Sequence, residues 1–292
     1  MKIKSPNNLE LFKVLHQLKL SFQYNSDREE IAVSHAALTN DQCIALANRL
    51  HLGWGLLLDP DIDQAKMVAM AGAMKRGVIL RPHPDTDQAK LVAMAGAMQP
   101  GVVLMPSSKT DQAKLVAMVA VLRRFVILMP HLDTDQAKLV AMAGAMQPGV
   151  VLMPDPRIDK AKLVAMVEVL KQDVVLMPHL GTDQAKLVAM AGAMQPGVVL
   201  MPPSKTDKAK LVAMVEVLKR DVILRPHRDT SEENLQAMVA HLSPKAVLSP
   251  PVDMSAERLE QLATHLLPRS TMYIHPDMED QKCQMIVKNL GS

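Results

Sequence analysis

The sequence predicts a right-handed, curved α/β solenoid (a horseshoe) of about ten stacked strand–helix repeats. Its parallel sheet would line the concave face and its helices the convex face. Three observations support this fold: a motif recurring every 24 residues, methionine far outnumbering aromatic residues, and a proline closing each short apolar segment. A repeat of this length cannot bury its own apolar face, whereas stacked neighbours can.

The repeat is visible in one row of residues, which starts each predicted helix. The 20-residue segment DQAKLVAMAGAMQPGVVLMP begins at Asp87, Asp135 and Asp183, with variants between these copies. A 48-residue double repeat therefore overlies the 24-residue one. The full row is Thr39, Asp63, Asp87, Asp111, Asp135, Asp159, Asp183, Asp207, Ser231, Ser255 and Glu279.

Each repeat is predicted to hold one helix and one strand. Thr86 and the aspartate after it are favourable at a helix start, and apolar residues at helical spacing follow from Leu91. A Pro-Gly pair ends the helix, residues 102–105 form a strand, and Pro106 closes it. Strands lie about 4.8 Å apart and packed helices about 8–10 Å apart, so the stack should bend with its strands inside.

Two helix types alternate along the array. One carries Ala95-Gly96-Ala97, and the other carries bulkier Val119-Ala120-Val121. We expect these small and large surfaces to let neighbouring helices interlock.

The ends are predicted to be caps. Residues 1–38 form an N-terminal capping unit, in which residues 7–24 are a degenerate helix and strand and residues 25–38 are a connection. Residues 39–266 are the repeats. Residues 267–292 form a C-terminal cap, with a strand at 272–276 displaced by two residues and a helix near 279–290. Rings concentrate in the atypical units, where exposed faces need covering: Phe12, Phe22, Tyr24, Trp54 and Tyr273.

A helix opening with DQAKLVAMAGAM, a tight turn and a V-x-L strand resemble the α/β leucine-rich repeat of the ribonuclease-inhibitor subtype, over roughly residues 39–290. The repeat is shorter than in that family, and proline replaces the asparagine that usually follows the strand. Repeats so nearly identical are similar to those of bacterial effector proteins. The resemblance implies an interaction module.

The predicted binding site is the concave face, formed by positions two and four of each strand. Position two is Ile or Val throughout, and position four is mostly Met, with an arginine towards each end. Large apolar patches mark interaction sites, and methionine adapts to a partner. The alternative is that neighbouring side chains partly cover this face. The residues assigned to partner binding are Arg81, Met105, Met129, Met153, Met177, Met201 and Arg225, with His83, His131, His179 and His227 after the strands.

The histidines recur every 48 residues, which places neighbours about 10 Å apart and too far for one zinc ion. A His131–Asp155–His179 metal site is the alternative to solvated loop histidines.

A lysine row follows the aspartate row by three residues. It suggests phosphate binding when taken alone, but i,i+3 ion pairs on solvated helices when taken with its carboxylates. The net charge of +3 favours the second interpretation.

Two cysteines, Cys43 and Cys283, fall on the apolar helical stripe and are interpreted as core residues. A nucleophile formed by Cys43 with His35 or His51 is the catalytic alternative.

Common catalytic motifs do not occur in the sequence. We therefore predict a non-enzymatic scaffold for another protein, without cofactor or metal. A regulator that occludes an enzyme, a nucleic-acid binder and a self-assembling array are the alternatives.

The chain lacks a disulfide framework, a signal-peptide pattern and an apolar run long enough to span a membrane. We expect a monomer in the cytoplasm or another reducing compartment. Translocation into a host cell without a cleaved signal would leave no mark in the sequence.

Overall fold

The computed structural model describes residues 1–5, 7–20, 22–25, 30–34, 38–266, 271–273, 278–279, 282 and 284. From residue 40 onwards, helices and short strands alternate regularly through this part of the chain. The chain divides into two compact halves, Met1–Val151 and Leu152–Ser292. The predicted α/β tandem-repeat architecture with a mostly parallel sheet is confirmed.

The N-terminal half alternates helices with short strands. Its helices are α1 (Asn8–Gln17), α2 (Asn40–Arg49), α3 (Gln64–Ala73), α4 (Gln88–Ala97), α5 (Gln112–Val119) and α6 (Gln136–Ala145). Its strands are β1 (Lys2–Lys4), β2 (Phe22–Asn25), β3 (Glu30–Val33), β4 (Gly55–Leu57), β5 (Ile79–Arg81), β6 (Val103–Leu104) and β7 (Ile127–Leu128), and β8 (Val151–Leu152) lies at the boundary. The strand order is β2-β3-β1-β4-β5-β6-β7.

From β4 onwards the strands of this half are parallel, and Ile79 is in register with Val103, one repeat later. The N-terminal cap differs from the predicted degenerate repeat. The helix and strand of residues 7–24 form, but β1 is the strand next to β4, and it is antiparallel. Residues 30–33, predicted to be a connection, form β3 between β1 and β2.

The C-terminal half continues the pattern. Its helices are α7 (Lys160–Val167), α8 (Gln184–Ala193), α9 (Lys208–Glu216), α10 (Glu232–Ala240) and α11 (Ala256–His265). Its strands are β9 (Val175–Leu176), β10 (Val199–Leu200), β11 (Ile223–Leu224), β12 (Val247–Leu248) and β13 (Thr271–Met272). They pair in this order, all parallel.

The last strand of this half corrects one prediction. Val247 pairs with Thr271, so β13 keeps the repeat spacing and is not displaced by two residues. Residues 274–277 and most of the predicted helix near 279–290 lie outside the described residues.

Helices α3 to α9 begin at the aspartate row, one residue later than the predicted threonine cap. In α6 the Asp135 carboxylate is the N-cap acceptor for the Lys138 N–H, and in α9 Asp207 has the same role for Ala209 and Lys210. Such an acceptor satisfies N–H groups that have no partner within the helix. Thr86 precedes its helix and is buried, so this threonine row belongs to the core.

The core of each repeat lies between its helix and its strand. Leu91, Met94 and Met98 are fully buried, which confirms the predicted helical stripe. Val102 and Leu104, at strand positions one and three, are fully buried from the other side. Apolar burial of this kind supplies most of the stabilising free energy of a fold.

Proline explains why the strands are so short. Leu58 follows β4, and its backbone N–H donates to the carbonyl of Arg81 in the next repeat, at 3.0 Å. In the next repeat, the position of Leu58 is taken by Pro82, and later repeats also have proline there. Proline has no backbone N–H to donate. The pairing therefore stops early, and strands from β6 onwards contain two residues each.

A second hydrogen-bond ladder precedes the strands. Gly101 has φ of 81°, and Phe125, one repeat later, has φ of 64°, in the left-handed region that favours glycine. The Gly101 N–H donates to the Phe125 carbonyl at 2.7 Å, and the Phe125 N–H donates to Gly149 at 2.7 Å. In the C-terminal half, Asp173 donates to Gly197 in the same way, at 2.8 Å.

This ladder gives the 48-residue double repeat a structural basis. A Cβ atom added at Gly101 would lie 2.5 Å from Cγ of Arg76, and one at Gly149 would lie 2.7 Å from Cγ of Arg124. Long side chains therefore lie across the glycine of the next repeat. In the alternate repeats a compact proline, such as Pro100, precedes the glycine, and a larger residue such as Phe125 occupies the ladder position that follows.

The predicted interlocking of small and large helix surfaces is only partly present. Ala95 and Val119 are both fully buried, so small and large residues do alternate in the core. Gly96 behaves differently. A Cβ atom at Gly96 would meet no described heavy atom within 4 Å, and the same holds for Gly144 and Gly192. These glycines do not mediate close helix contact.

Candidate functional site

The strand face of the N-terminal half carries the predicted apolar row. Met105 and Met129, at position four, are half-buried. Val103, at position two, is buried, and Ile79 and Ile127 are half-buried. Neighbouring side chains therefore cover much of this face, as the alternative interpretation held, and the two methionines, with Ile79 and Ile127, are its partly accessible apolar members.

One end of this face is cationic. Arg81, at position four of β5, packs over Gly55 of β4, since a Cβ atom built on Gly55 would lie 3.9 Å from Nε of Arg81. The same Cβ atom would lie 3.9 Å from Cβ of the exposed Lys4, on β1. Nε of Arg81 is buried and has no hydrogen-bond acceptor in the described part of the chain. The apolar row of this half thus ends beside two positive charges.

The strand face of the C-terminal half has the same character. Met153, Met177 and Met201 are half-buried, as is Arg225, which has interactions of its own. Val175 and Val199, at position two, are buried. Each half thus presents predicted binding residues on its own strand face.

The four post-strand histidines stabilise their own loops. Nδ1 of His179 accepts a hydrogen bond from the N–H of Gly181 at 3.0 Å, and Nδ1 of His131 accepts from the N–H of Asp133 at 3.2 Å. His83 and His227 accept equivalent bonds from residues two positions later. Nδ1 is therefore occupied locally in all four rings, while the side chains remain partly accessible.

Asp155, considered above as a metal ligand, is engaged by Arg157. The guanidinium donates to both carboxylate oxygens, at 2.9 and 2.7 Å. This pairing lowers the pKa of Asp155 to about 2. Among the described histidines, cysteines and acids, no three lie close enough to hold a metal ion.

The lysine row connects consecutive repeats. Nζ of Lys138 donates to the carbonyl of Ser108 at 3.0 Å, and Nζ of Lys186 donates to the carbonyl of Pro156 at 2.7 Å. Lys90 and Lys210 make similar bonds to the preceding repeat. The i,i+3 ion pairs predicted from the sequence are present at Lys138 and Lys186, but the prediction missed these inter-repeat bonds.

Cys43 lies fully buried in α2. Burial raises the pKa of its thiol, which disfavours the nucleophilic thiolate. The structure therefore supports a core role for Cys43. His35 and Cys283 lie outside the described residues.

Sequence reasoning overlooked one feature, at the edge where the strands begin. Phe125 is 48% exposed and holds a left-handed position with φ of 64°. The Arg124 guanidinium lies over its ring, 5.4 Å from the centroid. The sequence could have indicated this feature, because Phe125 is the one phenylalanine, tyrosine or tryptophan between Trp54 and Tyr273.

Among the described residues, no helix combines the length and hydropathy that crossing a bilayer requires. Comparison with models of known protein families, with curated proteins and with solved structures gave no significant match.

Proposed function

We propose that the chain is a non-enzymatic scaffold that binds another protein through the strand faces of its repeats. The observation that carries this proposal is the row of half-buried, partly accessible methionines at position four in each half. The helices pack on the opposite side of the strands, where positions one and three are buried. The methionines lie on the side that the helices do not cover.

The mode of recognition follows from the hydrogen bonding. Strand N–H groups already donate to neighbouring strands, as Met105 does to Leu80 at 2.9 Å and Met201 to Leu176 at 2.9 Å. A partner on this face would therefore contact side chains rather than add a strand. Methionine suits such contacts because its unbranched chain repacks against different shapes.

The resemblance to leucine-rich repeats supports the same proposal. The alternation of a parallel strand and a helix in every repeat agrees with that architecture, and we propose that the strand side is concave, because strands are spaced more closely than helices. An inhibitor that occludes an enzyme, including one of bacterial effector type, would use the same surface. An activity assay on the captured partner would distinguish simple binding from inhibition.

The test places one charge on the strand face of each half. We expect the double variant Met129→Glu/Met177→Glu to lose the partner that the parent protein captures from a cell lysate, because burying a carboxylate in an apolar contact is costly. The single variants identify which half binds. The captured protein, once identified by mass spectrometry, is then titrated in purified form.

The matched control places the same residue on the helix side, where Val121 and Val217 are 37% exposed. The double variant Val121→Glu/Val217→Glu should retain the partner with unchanged affinity. Circular dichroism and the urea midpoint establish that both double variants fold. Equal capture by folded strand-face and control variants would show that the strand faces do not bind this partner.

A further inference from the structure

The N-terminal half carries a second exposed surface, at the edge where its strands begin. We define it as the edge patch, formed by Arg76, Arg123, Arg124 and Phe125. All four residues are exposed. None of the three arginines forms an ion pair within the described part of the chain, and no acidic residue occupies this edge in the repeats that contribute to the patch.

Phe125 is costly to keep where it is. Equivalent residues in the neighbouring repeats, Gly101 and Gly149, are glycines with φ of 81°. An L-residue with a side chain is disfavoured in this region, and an exposed ring gains little from burial within the repeat. Backbone strain held by the surrounding structure often marks functional positions. Phe125 contributes little to the core because it is 48% exposed, so a phenylalanine at this position is better explained by a contact outside the chain.

The side chains of Arg76 and Arg124 are held in place by contacts with the next repeat. A Cβ atom at Gly101 would lie 2.5 Å from Cγ of Arg76, and one at Gly149 would lie 2.7 Å from Cγ of Arg124. Each aliphatic stem therefore lies across a glycine of the next repeat, and the Arg124 guanidinium is also over the Phe125 ring. Restricting these side chains before binding lowers the entropy lost when a partner binds.

We propose that the edge patch binds an acidic segment of a partner protein that also offers an apolar side chain to Phe125. Three positive charges without acidic neighbours complement carboxylates, and arginine and aromatic residues dominate the energetics of many interfaces. Single-stranded nucleic acid is the less suitable occupant. It needs successive rings for base stacking, and this patch has one aromatic ring, that of Phe125.

The proposal does not depend on the strand-face proposal, because the two surfaces use different residues. The probe is a fluorescent peptide of alternating Glu and Leu, titrated into the full chain at low salt by fluorescence anisotropy. We expect saturable binding that weakens at least about tenfold in Arg124→Glu and in Phe125→Gly. The urea midpoint of Phe125→Gly should be unchanged or higher, because glycine relieves the left-handed strain.

Two controls make the result specific. Lys109→Glu makes the same charge change as Arg124→Glu at an exposed residue in the loop after β6, and should bind the peptide as the parent does. Met129→Glu/Met177→Glu should also retain binding, which separates this site from the strand faces. The proposal is wrong if the parent does not bind the peptide, if Lys109→Glu weakens binding as much as Arg124→Glu, or if an oligothymidylate binds the patch more tightly than the peptide.

Discussion

The ammonium group of Lys186 donates a hydrogen bond of 2.7 Å to the carbonyl of Pro156, thirty positions earlier in the chain. Lys210 donates in the same way to Thr182, at 2.9 Å. Each of these bonds connects the start of a helix to the loop of the preceding repeat. A row that resembles a phosphate-binding stripe in the sequence thus contributes to the cohesion of the stack.

The first prediction concerns this contact. Lys186→Met should lower the free energy of unfolding by about 1–2 kcal/mol, because a charge-assisted hydrogen bond of a half-buried group is lost and a carbonyl loses its donor. Urea denaturation followed by circular dichroism measures the change. Lys208 forms an exposed ion pair with Glu233, so Lys208→Met should change the free energy by no more than about 0.5 kcal/mol. Equal losses would show that the Lys186 bond is not special.

The second prediction concerns the glycine of the small helix type. Gly96→Ala should stabilise the protein by up to about 1 kcal/mol, since alanine is the better helix former and its Cβ would meet no described atom within 4 Å. Gly101→Ala should destabilise it, because the added Cβ would have a left-handed φ and lie 2.5 Å from Cγ of Arg76. Thermal unfolding of both variants checks the opposite signs.

The third prediction concerns the buried threonine row. The Thr182 hydroxyl has no hydrogen-bond partner among the residues that the structure describes, whereas the Thr206 hydroxyl donates to the carbonyl of Pro203 at 2.8 Å. Thr182→Val should stabilise by about 1 kcal/mol, because it removes a buried unsatisfied hydroxyl, and Thr206→Val should destabilise by a similar amount. Ile158 is buried at the equivalent position one repeat earlier, so the site accepts an apolar residue. A stabilised Thr206→Val would contradict this account.

The fourth prediction concerns Asp155, whose pKa is lowered to about 2 from an ordinary value of 3.8, mainly by the side-chain hydrogen bond from Arg157. A lowered folded-state pKa contributes stability above the unfolded value, and this contribution is lost as pH falls from about 4 towards about 2. Arg157→Gln should raise the pKa of Asp155 towards its ordinary value. An NMR titration of the carboxyl carbon measures this directly. An unchanged midpoint would mean that Arg157 does not hold the carboxylate.

Periodicity and turn residues were enough to predict the repeat, its helix and strand, and the buried stripe, because each has a local signature. The N-terminal cap was harder to predict. β1 pairs in an antiparallel orientation with β4, which depends on contacts between residues far apart in sequence. The role of Lys186 was predicted only in part for the same reason, because the carbonyl that accepts its hydrogen bond, that of Pro156, lies in another repeat. The strand face was located from side-chain alternation alone, but the mutual covering of its residues depends on packing.

The alternation of glycine with larger residues before the strands limits how such a protein can change in length. Between residues 101 and 221, the long side chains of Arg124 and Gln172 lie across Gly149 and Gly197 of the repeats that follow. Removing the repeat that contains Gly149 would bring Arg124 against Asp173, which has a Cβ atom, whereas removing two repeats would restore the original neighbours. Gene duplication or protein engineering should therefore add or delete these repeats in pairs.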